Sequence, residues 1–115
     1  MSIYVVPQRE LKFIFEEIVN YNQHCQMPGF EEASADLVEV ILPEAAKFFE
    51  QIVAPTNPEG DKSPAHLKDG EVVASPGLNE AYGKMVEAGW CCLNGDSAYG
   101  GAGFPSVVDL AVQEM

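Results

Sequence analysis

Apolar residues return at intervals of three and four positions in four separate stretches of this chain, the repeat of a helix rather than the alternation of a strand. The first stretch runs from Gln8 to Asn22, where Leu11, Ile14, Phe15, Ile18 and Val19 stand among Arg9, Glu10, Lys12, Glu16 and Glu17. Pro7 sits just before its start, its predicted end is near Asn22, and Met27-Pro28-Gly29-Phe30 then reads as a turn. The second stretch runs from Ser34 to Val53, with Ser34 or Asp36 able to cap the free N–H groups of its first turn. Leu37, Ile41, Ala45, Phe48, Phe49 and Ile52 share one face. Pro43 interrupts this pattern, removes one backbone hydrogen bond and costs ~3 kcal/mol in a regular helix interior. The expected outcome is a kink over Glu39–Pro43, or a second helix beginning at Pro43.

Ala54 to Ala65 reads as loop, punctuated by Pro55, Asn57, Pro58, Gly60, Asp61, Ser63 and Pro64. His66 to Val73 carries Asp69-Gly70, the two-residue signal of a short, exposed hairpin. Ser75-Pro76-Gly77 opens a third helix, with Ser75 as cap, Pro76 in the first turn, and an apolar face of Leu78, Tyr82, Met85 and Val86. Gly89 is its left-handed stop. Trp90-Cys91-Cys92-Leu93 follows as an apolar segment expected in the core, then the glycine-dense loop Tyr99-Gly100-Gly101-Ala102-Gly103-Phe104. Pro105 starts a fourth helix with the stripe Val108, Ala111, Val112 and Met115, and no stop signal follows it. The expected fold is all-α: a small bundle of four to five helices with one short β-hairpin. Residues 1–115 are expected to form one helical domain, cut inside its last helix.

Length and composition bound the function. A chain of 115 residues, 47% of them hydrophobic, suffices for one domain. Six Lys and Arg against 18 Asp and Glu leave a net charge of −12, which excludes a general nucleic-acid binder, since phosphate contacts need cations. The same charge disfavours anionic membranes. No apolar run approaches the ~18 residues of a membrane span. Met1-Ser2-Ile3-Tyr4 lacks the basic and apolar regions of a signal peptide. Cys25, Cys91 and Cys92 make an odd count with no spaced framework, which reads as a reducing, cytoplasmic compartment. So much negative charge on a small domain suits one piece of a larger assembly.

The candidate chemistry is thin. Gly100-Gly101-Ala102-Gly103 has the glycines of a phosphate loop, yet no strand precedes it and no Lys-Ser/Thr follows, so a tight turn is the better reading. Cys91-Cys92 reads as a pair of buried thiols beside Trp90, since neighbouring cysteines bridge only with strain. His24, Cys25 and His66 show no metal-ligand spacing with them. His24-Cys25 are adjacent in sequence, which on a helix does not make a nucleophile–base pair. Glu16-Glu17 and Glu31-Glu32 read as solvated surface. No catalytic residue and no metal ligand emerges from these patterns.

The third and fourth helices carry a more specific pattern. Pro76-Gly77-Leu78-Asn79-Glu80-Ala81-Tyr82, Val86-Glu87-Ala88-Gly89-Trp90, Tyr99-Gly100-Gly101-Ala102-Gly103-Phe104-Pro105 and Glu114-Met115, in this order and spacing, resemble the N-terminal region of acyl-CoA dehydrogenases. Upstream, Tyr4-Val5-Val6-Pro7, Arg9-Glu10-Leu11-Lys12-Phe13, Glu44-Ala45-Ala46-Lys47-Phe48, Ala54-Pro55-Thr56-Asn57 and Gly60-Asp61 are similar to the larger bacterial branch with an extended N-terminus, which includes methylthiopropionyl-CoA dehydrogenase-like enzymes. The resemblance covers essentially the whole chain. Pro43, Ala102, Phe104 and the Cys91-Cys92 pair depart from the pattern.

The resemblance implies an oxidoreductase of three domains, helical, β-barrel and helical, that uses FAD to oxidise an acyl-CoA thioester to the 2,3-enoyl-CoA. It implies an electron-transfer flavoprotein as electron acceptor and a homo-oligomer. It places the flavin contacts and the catalytic base outside this span, so the 115-residue chain is expected to be inactive and to hold no FAD. Tyr99, Gly100, Gly101 and Gly103 match the family's loop before the fourth helix and are expected to support the substrate pocket. A second reading, from the composition, is a stand-alone acidic module whose stripe Val108, Ala111, Val112 and Met115 docks a partner helix or a second copy.

Overall fold

A computed structural model describes residues 3–115; Met1 and Ser2, part of the segment weighed as a signal sequence, lie outside them. The chain is helical with one two-stranded antiparallel hairpin. Its elements are α1 (Gln8–Phe13), α2 (Tyr21–His24), α3 (Ala35–Phe48), α4 (Thr56–Lys62), β1 (His66–Lys68), β2 (Glu71–Val73), α5 (Leu78–Glu87) and α6 (Ser106–Gln113). One-turn π segments extend α1 over Ile14–Ile18 and α3 over Phe49–Val53. Each ends on a bond from residue i to residue i−5, Val19 N–H to the Ile14 carbonyl and Ala54 N–H to the Phe49 carbonyl, both 2.8 Å.

The first helix stops before Asn22. Asn20 adopts the left-handed conformation (φ 50°), which asparagine tolerates better than most residues, and α2 restarts beyond it. The π segment re-aims the expected stripe: Leu11 and Phe15 are buried, whereas Ile14 and Ile18 face outward. Ser34 does cap α3, its Oγ accepting from the Leu37 N–H at 3.2 Å. The helix then runs unbroken through Pro43, so the alternative of two helices does not hold. Its packed side is Val38, Leu42, Ala45, Ala46 and Phe49, nearly one residue's rotation from the predicted face, and Leu37 is left outside. α6 lies against this side of α3.

Three local expectations are corrected. The segment expected to be loop contains α4: Pro58 falls in the first turn, where its missing N–H has no helical partner to lose, and Thr56 Oγ1 donates to the Val53 carbonyl at 2.7 Å. Ser75 does not cap α5. Gly77 holds that position at φ 78°, and Leu78 N–H closes a turn onto the Ser75 carbonyl at 3.2 Å, with proline and glycine at the two central positions. Cys91 and Cys92 are exposed rather than buried, because the chain turns at Gly89 and only Trp90 and Leu93 reach the core.

Other expectations hold. Asp69 (φ 52°) and Gly70 (φ 84°) make the hairpin turn, with Leu67 opposite Val72, and both strands are exposed. Gly89 (φ 81°) ends α5 with a paired closure, Trp90 N–H to the Met85 carbonyl at 3.1 Å and Gly89 N–H to that of Val86 at 3.0 Å. The α6 stripe Val108, Ala111 and Val112 is buried against the chain's own core, and Met115 is half-buried beside it. The stripe that the stand-alone module would use for docking is therefore already covered.

The molecule is a slab of 53 × 36 × 17 Å. Its radius of gyration is 16.6 Å, against roughly 13 Å for a compact chain of this length. Its accessible surface is 8012 Å², against roughly 6,200 Å² for a compact chain of this mass. Among the described residues no helix is long and apolar enough to cross a membrane.

Candidate functional site

The four residues singled out for a pocket role, Tyr99, Gly100, Gly101 and Gly103, lie together in one loop between Leu93 and α6. Asp96 organises it: its Oδ1 accepts from the Ala98 N–H at 2.8 Å and starts a single 3₁₀ turn over Ser97–Tyr99. Gly100 ends that turn in the left-handed region (φ 88°). The loop then zips back on itself. Gly101 N–H donates to the Asp96 carbonyl (3.0 Å), Ala102 to Cys92 (3.0 Å), Gly103 to Gly95 (2.9 Å) and Phe104 to Leu93 (2.8 Å). Gly101 and Gly95 touch backbone to backbone, and a Cβ on Gly101 would overlap the Gly95 carbonyl group. Sequence reading singled out the glycines but missed Asp96 and Gly95. An aspartate two residues before Ala98 was the available signal for the first, and nothing local marks the second.

This geometry decides the phosphate-loop question. A loop that cradles an anion needs backbone N–H groups free to point at it. Here the N–H groups of Gly100, Gly101, Ala102, Gly103 and Phe104 all donate within the chain. The loop is a closed turn that buries Phe104 and sets the start of α6, and it presents Tyr99 outward at 91% exposure. Cys92 Sγ sits near the Gly89 and Gly100 carbonyls at 3.6 and 3.8 Å, so one of the two exposed thiols is tied to the loop.

The remaining candidates form no reactive constellation. His24 stacks between Tyr21 and Phe30, with ring centroids 5.9 and 6.2 Å apart, and the Cys25 thiol is turned to the Asn22 carbonyl at 3.4 Å. Tyr21 is buried, its hydroxyl donates to the Ala33 carbonyl at 2.8 Å, and burial pushes that hydroxyl up to about 12. Glu16, Glu17, Glu31 and Glu32 are exposed, as expected. Asp109 is buried on α6 and accepts from Gln113 Nε2 at 2.6 Å, a carboxylate that sequence reading did not single out. Among the described residues no three His, Cys, Asp or Glu side chains are grouped to hold a metal ion. A groove of about 500 Å³ lies between α1 and α3, bordered by Leu11, Phe15, Tyr21, Val38 and Leu42. Lys12 on its rim lies 3.5 Å from Glu16 and 3.9 Å from Glu39. Nothing in it is a nucleophile paired with a base.

No family model matches the chain. Two curated proteins do match along nearly its whole length. It is 31% identical over 112 residues to a 3-methylmercaptopropionyl-CoA dehydrogenase of Ruegeria pomeroyi, a span covering 97% of this chain and 19% of that protein. It is 28% identical over 116 aligned positions to a broad-specificity linear acyl-CoA dehydrogenase of Mycobacterium tuberculosis, covering 99% of this chain and again 19% of the relative. The chain thus spans about a fifth of the length of each relative it matches. Along nearly its whole length the chain is thus similar in sequence to one segment of acyl-CoA dehydrogenases.

Proposed function

We propose that residues 1–115 are the N-terminal helical domain of a longer, FAD-dependent acyl-CoA dehydrogenase that oxidises an acyl-CoA thioester to the 2,3-enoyl-CoA. The observation that carries this reading is the pair of matches, each covering almost all of this chain and a fifth of an acyl-CoA dehydrogenase. The slab shape and its large surface agree with a part built to be covered. In this reading the longer enzyme works in the cytoplasm, assembles as a homo-oligomer and passes electrons to an electron-transfer flavoprotein. The loop of Tyr99, Gly100, Gly101 and Gly103 supports the acyl pocket from outside by fixing where α6 begins.

The residues of this chain do not by themselves fit a flavin. A dinucleotide's pyrophosphate needs free backbone donors or paired cations. The glycine loop donates its N–H groups internally, Lys12, Lys62 and Lys84 are engaged by carboxylates, and the other cations, Arg9, Lys47 and Lys68, stand on three different elements, α1, α3 and β1. No chemical step is therefore assigned to these residues, and the role left to them is structural.

The test compares the longer polypeptide with the 115-residue chain in an acyl-CoA oxidation assay with an artificial electron acceptor. The longer protein is expected to turn over and to carry flavin, and the 115-residue chain to do neither. Stoichiometric flavin or turnover in the short chain would refute its inert role. A longer protein silent on every acyl-CoA tried would refute the enzyme reading.

A further inference from the structure

The apolar stripe of α5 does not point where α5 packs. Leu78, Tyr82 and Val86 recur every four residues and are 45%, 62% and 50% exposed. The side of α5 turned to the rest of the chain carries Ala81, the one residue of the helix that is buried, and half-buried Met85. Glu80, Ala81 and Lys84 share a surface depression with Gln51, Ile52 and Pro55 of the neighbouring π segment and the turn after it. An amphipathic helix normally buries its apolar stripe. Here the stripe is turned off the packed side and forms an outward row about 12 Å long, at 1.5 Å rise per residue. The row is not a frayed end: the paired closure at Gly89 and Trp90 holds the last turn, and Trp90 anchors it beside Phe48 at a centroid distance of 6.2 Å.

We propose that the outward face of α5, formed by Leu78, Tyr82 and Val86, is the docking surface for an apolar face of the polypeptide beyond this span; this rests on reading the chain as one part of a longer dehydrogenase. Two facts choose that occupant. The relatives devote about four fifths of their length to sequence outside the matched span. The surface in excess of a compact chain is roughly 1,800 Å², more than the ~800 Å² that one partner buries in a standard interface. A second copy is a poorer occupant, because each copy carries a charge of −12 and the two repel.

The experiment is covalent footprinting of Tyr82 in the 115-residue chain and in the longer enzyme, together with thermal melts of both. Labelling of Tyr82 is expected to fall roughly fivefold in the longer enzyme, as an exposed ring becomes a core one. The variant Tyr82→Lys/Val86→Lys is compared with Glu87→Lys, which changes the charge equally from an exposed position off the stripe. The double variant is expected to lower the melting temperature of the longer enzyme by several degrees more than Glu87→Lys does, and to leave the short chain's melt unchanged. Tyr82 labelled equally in both proteins would overturn the docking face, and if that enzyme still oxidised acyl-CoA the domain reading would survive. A longer protein without dehydrogenase activity would remove the domain reading and the proposal with it. Self-association of the short chain that the double variant abolishes, with no effect on the longer enzyme, would assign the face to a second copy and overturn the proposal.

Discussion

Replacing Gly101 by alanine should destabilise the chain more than replacing Gly100, although Gly100 is the one with the left-handed backbone. A Cβ at Gly100 meets nothing within 4 Å, so Gly100→Ala costs only the left-handed conformation, about 1–2 kcal/mol. A Cβ at Gly101 would occupy the space of the Gly95 carbonyl group, which is backbone and cannot rotate away. The loop must open, and the bonds Gly101–Asp96 (3.0 Å), Ala102–Cys92 (3.0 Å) and Gly103–Gly95 (2.9 Å) stretch together. At ~1 kcal/mol each the loss is about 3 kcal/mol, a large part of the 5–15 kcal/mol expected of a whole domain. Urea unfolding of the two variants followed by circular dichroism measures the difference. If Gly101→Ala proves no less stable than Gly100→Ala, the close approach of Gly95 and Gly101 does not hold the loop shut, and glycine matters here only for its positive φ.

Two further outcomes are expected. Because burial raises the folded-state value of Tyr21 from 10.0 to about 12, its contribution to stability is whole below pH 10 and is lost as pH rises from 10 to 12. Tyr21→Phe should remove that alkaline component and, by leaving the Ala33 carbonyl without its donor, cost about 1–2 kcal/mol at neutral pH; an unchanged alkaline limb in unfolding curves would contradict the assignment. Ser34→Ala should cost ~1 kcal/mol by removing the cap on the Leu37 N–H, and Ser34→Asp should restore it. Equal urea midpoints for parent and Ser34→Ala would show the cap to be idle.

Much of the candidate site was legible, and the illegible part has a physical cause. The loop's glycines, the hairpin turn at Asp69-Gly70 and the stop at Gly89 are visible because positive φ selects glycine, asparagine and aspartate. The helix at Thr56–Lys62 was hidden because Pro58 and Gly60 read as breakers, yet a proline in a first turn removes a donor that has no helical partner. The two π segments leave no mark in residue type, and the first of them holds Ile14 and Ile18, which face outward. The exposure of Cys91 and Cys92 was misread because their apolar neighbours, Trp90 and Leu93, do reach the core while the chain between them turns past it.

By itself the sequence determined what depends on neighbours along the chain: helical period, caps, left-handed stops, the hairpin, and a run of motifs shared with acyl-CoA dehydrogenases. Only the tertiary structure decided which of the overlapping apolar stripes is buried. On α3 it chose Val38 and Leu42 over Leu37, and on α5 it left Leu78, Tyr82 and Val86 outside. It also closed Gly95 onto Gly101 and spent the loop's N–H groups internally. Burial and backbone approach are set by residues distant in sequence, and periodicity along one helix carries no information about which of its sides another element will cover.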